Sequence, residues 1–348
     1  MQEGWQIRQL TKKDDQLHTH FLNEISAEST CVLGYHFPFY KNILEECGIG
    51  QAYYLGLFSA TELIAILPGV IKDTEIGTVY SSLPFFGPNA GVIVADKNNS
   101  AEVHHVLINA AINYLKSFKK PLSASLYTPF LASNFEYYEQ ALENAVSVSK
   151  STQYLSVAET EWDSKIRYDL RKVERSGLSI SEEISPDKVD ALYTIYSQNC
   201  IDYNIPKKPR EVIDALAQAA QEGENVNFYF TFFEGKIIGG LIVIYSKTTL
   251  SYYLPCSLDA HRSLQAVTYM IDYAFQKAKS AGIRYWNWES SPDTESGVYK
   301  FKKKWGSLSS EYRVYIKCLC DIAEIKALGK EKIMQQFPYF FVLPFNLM

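Results

Sequence analysis

The sequence predicts an α/β (α+β) chain of two tandem units, each a mixed, mostly antiparallel sheet flanked by helices. Three observations carry this expectation. The chain has 348 residues, more than one hydrophobic core ordinarily organises and enough for two. Apolar residues make up 47% and charged residues 21%, the balance of a folded globular protein. The third is a repeated order of segments. In the first half, QAYYLGLFSATELIAILPGVI (51–71) is followed by TVYSSLP (78–84), VHHVLINAAINYLKS (103–117) and LSASLY (122–127). In the second, NFYFTFFEGKIIGGLIVIY (227–245) is followed by LSYYLP (250–255), LQAVTYMIDYAFQKAKS (264–280) and IRYWNW (283–288). The same order, with the same Leu-Pro punctuation, points to a duplicated module.

Each element follows from its pattern. β-rich runs on either side of SATE and EGK predict hairpins, and a third strand comes after each. The next segment in each half is helical by spacing. Val103, Val106, Leu107, Ala110, Ala111 and Tyr114 share one face, as do Leu264, Val267, Ile271, Ala274, Phe275 and Ala278. Pro121 and Gly282 end these helices. A strand, helix, strand crossover then implies a parallel pair within each mixed sheet. Between the repeats, helices are expected over 163–176 and 187–222, with the turn NIPKKPR in this region. Trp162 and Asp163 suit the start of the first helix and Gly177 its end. The expected boundaries are 1–150 for the first unit, 151–320 for the second, and 321–348 for a terminal helix and apolar tail packed on the second.

Composition excludes several function classes. Lys and Arg total 34 against 39 Asp and Glu, a net charge of -5, which argues against general nucleic-acid binding though not against a local cationic pocket. The N-terminus has no apolar stretch of signal-peptide type, and no run of about 18 apolar residues could span a bilayer, so a cytoplasmic location is expected. Peripheral membrane contact stays open. Cys31, Cys47, Cys200, Cys256, Cys318 and Cys320 show no CxxC spacing, and the His residues form no ligand pair. Free thiols and no metal follow as expectations.

Two cationic features stand out. Arg167, Arg171 and Arg175 recur at i, i+4 and i+8, opposite the apolar Ile166, Leu170 and Val173, giving either a solvated helix face or an anion-binding ridge. Planar guanidinium suits phosphate or carboxylate. The second feature is GVYKFKKKWG (297–306), with Lys300, Lys302, Lys303 and Lys304 set among aromatics. Read as a strand, alternation would point Lys302 and Lys304 to one face and Phe301 and Lys303 to the other.

RYDLRKVERSGLSI (167–180), HRSLQAVTYMIDYAFQKAKSAGIRYWNWESS (261–291) and GVYKFKKKWGS (297–307) together resemble the FemAB-like branch of the GNAT acyltransferase superfamily, whose members carry two GNAT-like domains. The resemblance covers about residues 160–316 and extends more weakly over 30–130. There SSLPFFGPNAG (81–91) resembles acyltransferase-like proteins associated with surface polysaccharide assembly. It implies transfer of an acyl or aminoacyl group to an amino group of a cell-envelope glycan or peptidoglycan precursor. The substrate would be a small molecule or a lipid-linked glycan. No cofactor is held permanently, and the donor is acyl-CoA or aminoacyl-tRNA. HRSLQAV lacks the glycines that let backbone N–H groups approach a diphosphate in the wider superfamily, which counts against acyl-CoA. A non-catalytic tandem-domain accessory protein of polysaccharide assembly is the competing reading.

The candidate residues follow. Lys302 stands where the family keeps a lysine after phenylalanine and is the candidate for stabilising the oxyanion of acyl transfer. Lys304, Arg167 and Arg171 are candidates for binding anionic groups, and Tyr299 for binding the acceptor. Glu289, at the end of IRYWNW, is the first candidate base, with Asp202 and His261 as others. Phe86 and Gly87 belong to a loop that would either close over a ligand or make a tight connection.

Overall fold

Alternating apolar residues and Gly- or Pro-bearing turns set the strands, and the computed structural model describes residues 4–26, 31–85, 87 and 90–347. The chain divides into residues 1–151 with 311–348, and residues 152–310. Phe86 lies outside the described residues.

In the first unit the strands are β1 (Trp5–Gln9), β2 (Gln51–Ala52), β3 (Leu55–Ser59), β4 (Glu62–Leu67), β5 (Val70–Thr74), β6 (Gly77–Ser81), β7 (Ile93–Val94) and β8 (Pro121–Tyr127). Its helices are α1 (Asp15–Ile25), α2 (Pro38–Glu46), α3 (Ala101–Leu115) and α4 (Phe135–Ala141). Strand β9 (Val146–Ser156) contributes residues to both units. The expected crossover is present: β6, α3 and β8 follow in order, and β6 pairs with β8 in parallel. The hairpin before it departs from the repeat. Strand β4 ends at Pro68–Gly69, so β3 and β4 join β1 and β7 in a separate sheet, while β5 takes the place beside β6. Proline has no N–H to continue a ladder, which accounts for the break.

The second unit keeps the repeat intact. Its strands are β10 (Ser179–Ser181), β11 (Val226–Phe233), β12 (Lys236–Tyr245), β13 (Thr249–Ser257) and β14 (Tyr285–Ser290), in the order β10-β11-β12-β13-β14-β9. Helices α5 (Ser164–Glu174), α6 (Pro186–Asp202), α7 (Arg210–Gln221), α8 (Ala266–Ser280) and α9 (Gly297–Lys304) complete it. The Asp163 carboxylate caps α5 by accepting from Ile166 N at 2.9 Å, and Gly177 follows the helix at φ +73°. Helix α6 lies close on β12, because a Cβ on Gly240 would meet Leu192 at 2.6 Å. Trp286, Trp288 and Trp305 are all buried, and Trp162 and Phe301 pack against them.

The end of the chain corrects an expectation. Strand β15 (Leu308–Cys318) pairs with β8, from Val314↔Tyr127 to Cys318↔Ser123. That pairing carries the remaining chain, with α10 (Ile322–Ala327) and α11 (Lys330–Gln336), into the first unit. The tail therefore packs on the first unit and not on the second. Ser123 Oγ donates to Val342 O at 2.7 Å, Ser125 Oγ donates to Phe341 O, and Phe341 joins Tyr127, Tyr312, Val314 and Ile316 in one cluster. The loop read as SSLPFFGPNAG is tied to the same tail: Phe85 N donates to Tyr339 O at 3.0 Å and the two rings lie 4.8 Å apart. Leu83 and Phe85 take φ of 156° and 74°, so the start of this loop is conformationally constrained.

Phe341 is 4% exposed, and truncating a buried phenylalanine typically costs about 3–5 kcal/mol. Phe341→Ala is expected to lower the urea-unfolding free energy by that order. A change within experimental error would show that the tail is dispensable to the first unit.

Candidate functional site

The site begins where two strands separate. Strands β13 and β14 pair in parallel only over Thr249–Ser251 and Tyr285–Asn287, yet β13 continues to Ser257 and β14 to Ser290. Beyond Ser251 and Asn287 they part, leaving Tyr253 on one side and Glu289 on the other. A bulge sharpens this divergence. Strand β14 pairs with β9 at Asn287↔Tyr154 and next at Ser290↔Thr152, so β14 holds one residue more than its partner. Bulges of this kind re-aim side chains beside active sites. Glu289 sits in it at φ 62°, a left-handed conformation that costs a non-glycine residue roughly 1–2 kcal/mol.

The buried Asn287 holds the bulge. Its Oδ1 accepts from Glu289 N at 2.9 Å and from Thr152 Oγ1 at 3.3 Å. Its Nδ2 donates to Glu289 Oε1 at 2.8 Å and to Ser251 Oγ at 3.2 Å. Both donors and the carbonyl oxygen of the amide are engaged, and the carboxylate is fixed by its own neighbour.

GVYKFKKK is helix α9 and not a strand, which corrects the alternation expected for its lysines. Ser296 caps it by accepting from Tyr299 N at 3.2 Å, and Lys302, Lys303 and Lys304 fall in the last turn, where cations complement the helix dipole. Phe301 and Trp305, four residues apart, meet Trp288 at ring distances of 6.4 and 5.9 Å. This aromatic face turns Lys302 inward. Lys302 is 4% exposed, and its Nζ donates to Glu289 O at 3.0 Å and Ser290 O at 2.8 Å. Burial pulls its pKa from 10.5 down to about 8, against the opposing field of Glu289. Gln153 braces the arrangement: Nε2 donates to Tyr299 O at 3.2 Å and Ser307 Oγ at 2.9 Å, and Oε1 accepts from Ser291 Oγ at 3.2 Å.

A second amine lies in the field of Glu289, one that sequence reasoning missed. Lys208 lies in the turn read as NIPKKPR. The residue is partly exposed, but its ammonium sits 4.9 Å over the Tyr253 ring. Burial lowers its pKa from 10.5 while Glu289 and Cys200 work to raise it. Its backbone is fixed by a bond from Lys208 N to Tyr196 Oη at 3.0 Å.

The other candidates lie in different surroundings. Arg167 and Arg171 are exposed on α5; Arg167 lines a depression of about 200 Å³ with Trp162, Phe275 and Lys279. Lys304 is paired with Asp169 at 2.6 Å. Lys302 lines neither that depression nor the one at Lys304. The Tyr299 hydroxyl meets Ser309 Oγ at 2.9 Å. Asp202 accepts from Gln198 Nε2 at 2.7 Å on an exposed surface, and the His261 ring lies 5.7 Å from Phe233. Gly87 is buried in the first unit. All six cysteines are free thiols. Among the described residues no cluster is placed to hold a metal, and no helix is long and apolar enough to cross a membrane.

The loop before α8 has one further feature. Gln265, the residue preceding the helix, takes φ 62° and ψ 35°, and its Oε1 accepts from Thr268 Oγ1 at 2.9 Å. A left-handed residue thus stands at the start of the helix where the sequence offers no glycine.

Residues 163–293 match the family described as acetyltransferase (GNAT) domain. No curated protein sequence matches the chain. Among solved structures, FemX is similar with a TM-score of 0.68 at 11% identity, covering 88% of this chain and 96% of FemX. The C-terminal domain of a putative lysylphosphatidylglycerol synthetase from Agrobacterium fabrum gives 0.60 at 13%, covering 92% and 96%. A tandem GNAT protein from the clavulanic acid biosynthesis pathway gives 0.56 at 8%, covering 91% and 99%. Residues 163–293, which include the strand splay and the Glu289 bulge, thus carry a GNAT acetyltransferase domain, within a fold similar to those of FemX and a tandem GNAT protein.

Proposed function

We propose that the protein transfers an acyl or aminoacyl group to an amino group of a cell-envelope glycan or peptidoglycan precursor, with Glu289 as base and Lys302 as the stabilising cation. The observation that carries this reading is the Glu289 carboxylate, held by Asn287 on a bulge where β13 and β14 part, with two amines in its field. GNAT domains use an acyl-CoA donor, and the likeness to FemX supports the aminoacyl-tRNA alternative. The names of neighbouring folds, FemX and lysylphosphatidylglycerol synthetase, support an envelope acceptor.

The chemistry assigns roles to groups in the second unit. The acceptor nitrogen forms a bond to the donor carbonyl carbon, and its proton passes to Glu289. The C–O or C–S bond of the donor ester or thioester then breaks as the tetrahedral intermediate collapses, and the tRNA hydroxyl or CoA thiol leaves with the proton returned by Glu289. Two N–H groups of Lys302 are occupied by the carbonyls of Glu289 and Ser290, and the charge it retains stabilises the oxyanion. Lys208 adds a second cation on the Tyr253 side. Tyr299 is assigned to the acceptor, and Arg167, Arg171 and Lys304 to anionic parts of the substrates farther from the reacting atoms.

The test is transfer from acetyl-CoA and from aminoacyl-tRNA to amino-sugar and peptidoglycan-peptide acceptors, read by product mass. Glu289→Gln is expected to lower kcat by about 10²–10⁴-fold, the usual loss of a general base, with KM little changed. Wild-type turnover with none of these pairs would favour the accessory-protein reading.

Lys302 sets the alkaline limb. Its charged form predominates below about pH 8, so kcat/KM is expected to fall tenfold per unit above that value. A rise through pH 8 would assign Lys302 as a base instead of a cation.

A further inference from the structure

A groove of about 660 Å³ lies in the second unit along one flank of α8, against the start of β11 and the junction of β12 and β13. Its lining shares no residue with the site around Glu289 and Lys302. The partly exposed Tyr245, Tyr269 and Tyr273 line it over the buried Tyr229, with Asn227 and Asp272 among the polar groups. We propose that this groove binds a neutral saccharide.

The chemistry of the lining selects that ligand. Tyrosine rings offer apolar faces to the C–H surface of a sugar ring while keeping a polar tip, and the volume falls within the range of small-molecule sites. The hydrogen-bonding groups are only partly used. Asp272 Oδ1 accepts from Trp162 Nε1 at 2.6 Å and from Gln276 Nε2 at 3.1 Å, which fixes the carboxylate and leaves Oδ2 without a partner among the described residues. The Tyr245 and Tyr269 hydroxyls and Asn227 Oδ1 likewise have none among them, while Asn227 Nδ2 donates to Tyr229 Oη at 3.3 Å. A polyol supplies both donors and acceptors to such a set.

Charge excludes the alternatives. The cation in the lining, Lys277, is tied to Glu182, which also accepts from Tyr273 Oη at 2.7 Å, so a phosphate or carboxylate would meet Asp272 with no free cation to balance it. A small organic cation is attracted by aromatic faces, but the Lys277 ammonium already lies 5.4 Å from the Tyr273 ring.

The experiment titrates the full chain with chitotriose, cellotriose and maltotriose, and with choline as the cationic alternative, by calorimetry and ligand-detected NMR. Saturable binding of at least one trisaccharide is expected, weakened about tenfold or more by Tyr245→Ala or Tyr269→Ala. Tyr245→Phe and Tyr269→Phe, which keep the rings, are expected to bind a few-fold more weakly than wild type and to melt with it. Binding of choline alone, saccharide binding indifferent to all four substitutions, or no saturable binding of any trisaccharide would overturn the proposal.

Discussion

The second unit's site depends on one side-chain amide. Asn287 answers the backbone N–H and the carboxylate of Glu289, and also ties β14 to β13 through Ser251 and to β9 through Thr152. Each bond is worth roughly 1 kcal/mol net in an ordinary setting, enough together to hold Glu289 at a φ of 62° against its roughly 1–2 kcal/mol strain. The bulge then fixes the positions of the Glu289 and Ser290 carbonyls, and these are the groups that receive Lys302. One residue's geometry therefore places both the carboxylate and the amine assigned to the chemistry.

Lys302 is costly to bury. A fall from 10.5 to about 8 corresponds to about 3 kcal/mol against its charged form. For a lysine whose folded pKa lies below its unfolded value, the folded state binds fewer protons than the unfolded one between those values. The penalty is thus fully present below pH 8 and relieved as pH rises toward 10.5. That figure already contains the opposing field of Glu289. The aromatic contacts of Phe301 and Trp305 with Trp288 help to offset it, since Lys302 sits on the α9 turn they anchor. A solvent-facing lysine would need none of this support.

The crossover motif was legible because hydrophobic periodicity and turn residues are local signals, and both halves carry them at matching positions. What the first half concealed was the exit of β4: Pro68–Gly69 reads as punctuation, but which sheet a strand joins is decided by tertiary pairing. GVYKFKKKWG misled for a related reason. Consecutive lysines obscure the four-residue spacing of Phe301 and Trp305, and that spacing, once Trp288 and Trp162 are in place, makes the segment helical and turns one lysine inward. Lys208 was illegible because NIPKKPR has only the composition of a turn. Its surroundings, the Tyr253 ring and the field of Glu289, are distant in sequence. Glu289 is a candidate by its place after an apolar strand, whereas the amide two residues before it carried no signal beyond its identity.

Gln265 bears on the donor. The lack of glycine in HRSLQAV argues against a diphosphate only if the backbone avoids the conformation that glycine reaches freely. Gln265 adopts that conformation, φ 62° and ψ 35°, directly before the first turn of α8, at a strain of roughly 1–2 kcal/mol. Its side chain is drawn toward Thr268 by the bond at 2.9 Å, an interaction within the helix start and not across it. The backbone path compatible with an approaching anion is therefore retained, and what glutamine adds is side-chain bulk and an amide at the mouth of the loop. The missing glycine is therefore no argument by itself against a donor that carries a diphosphate.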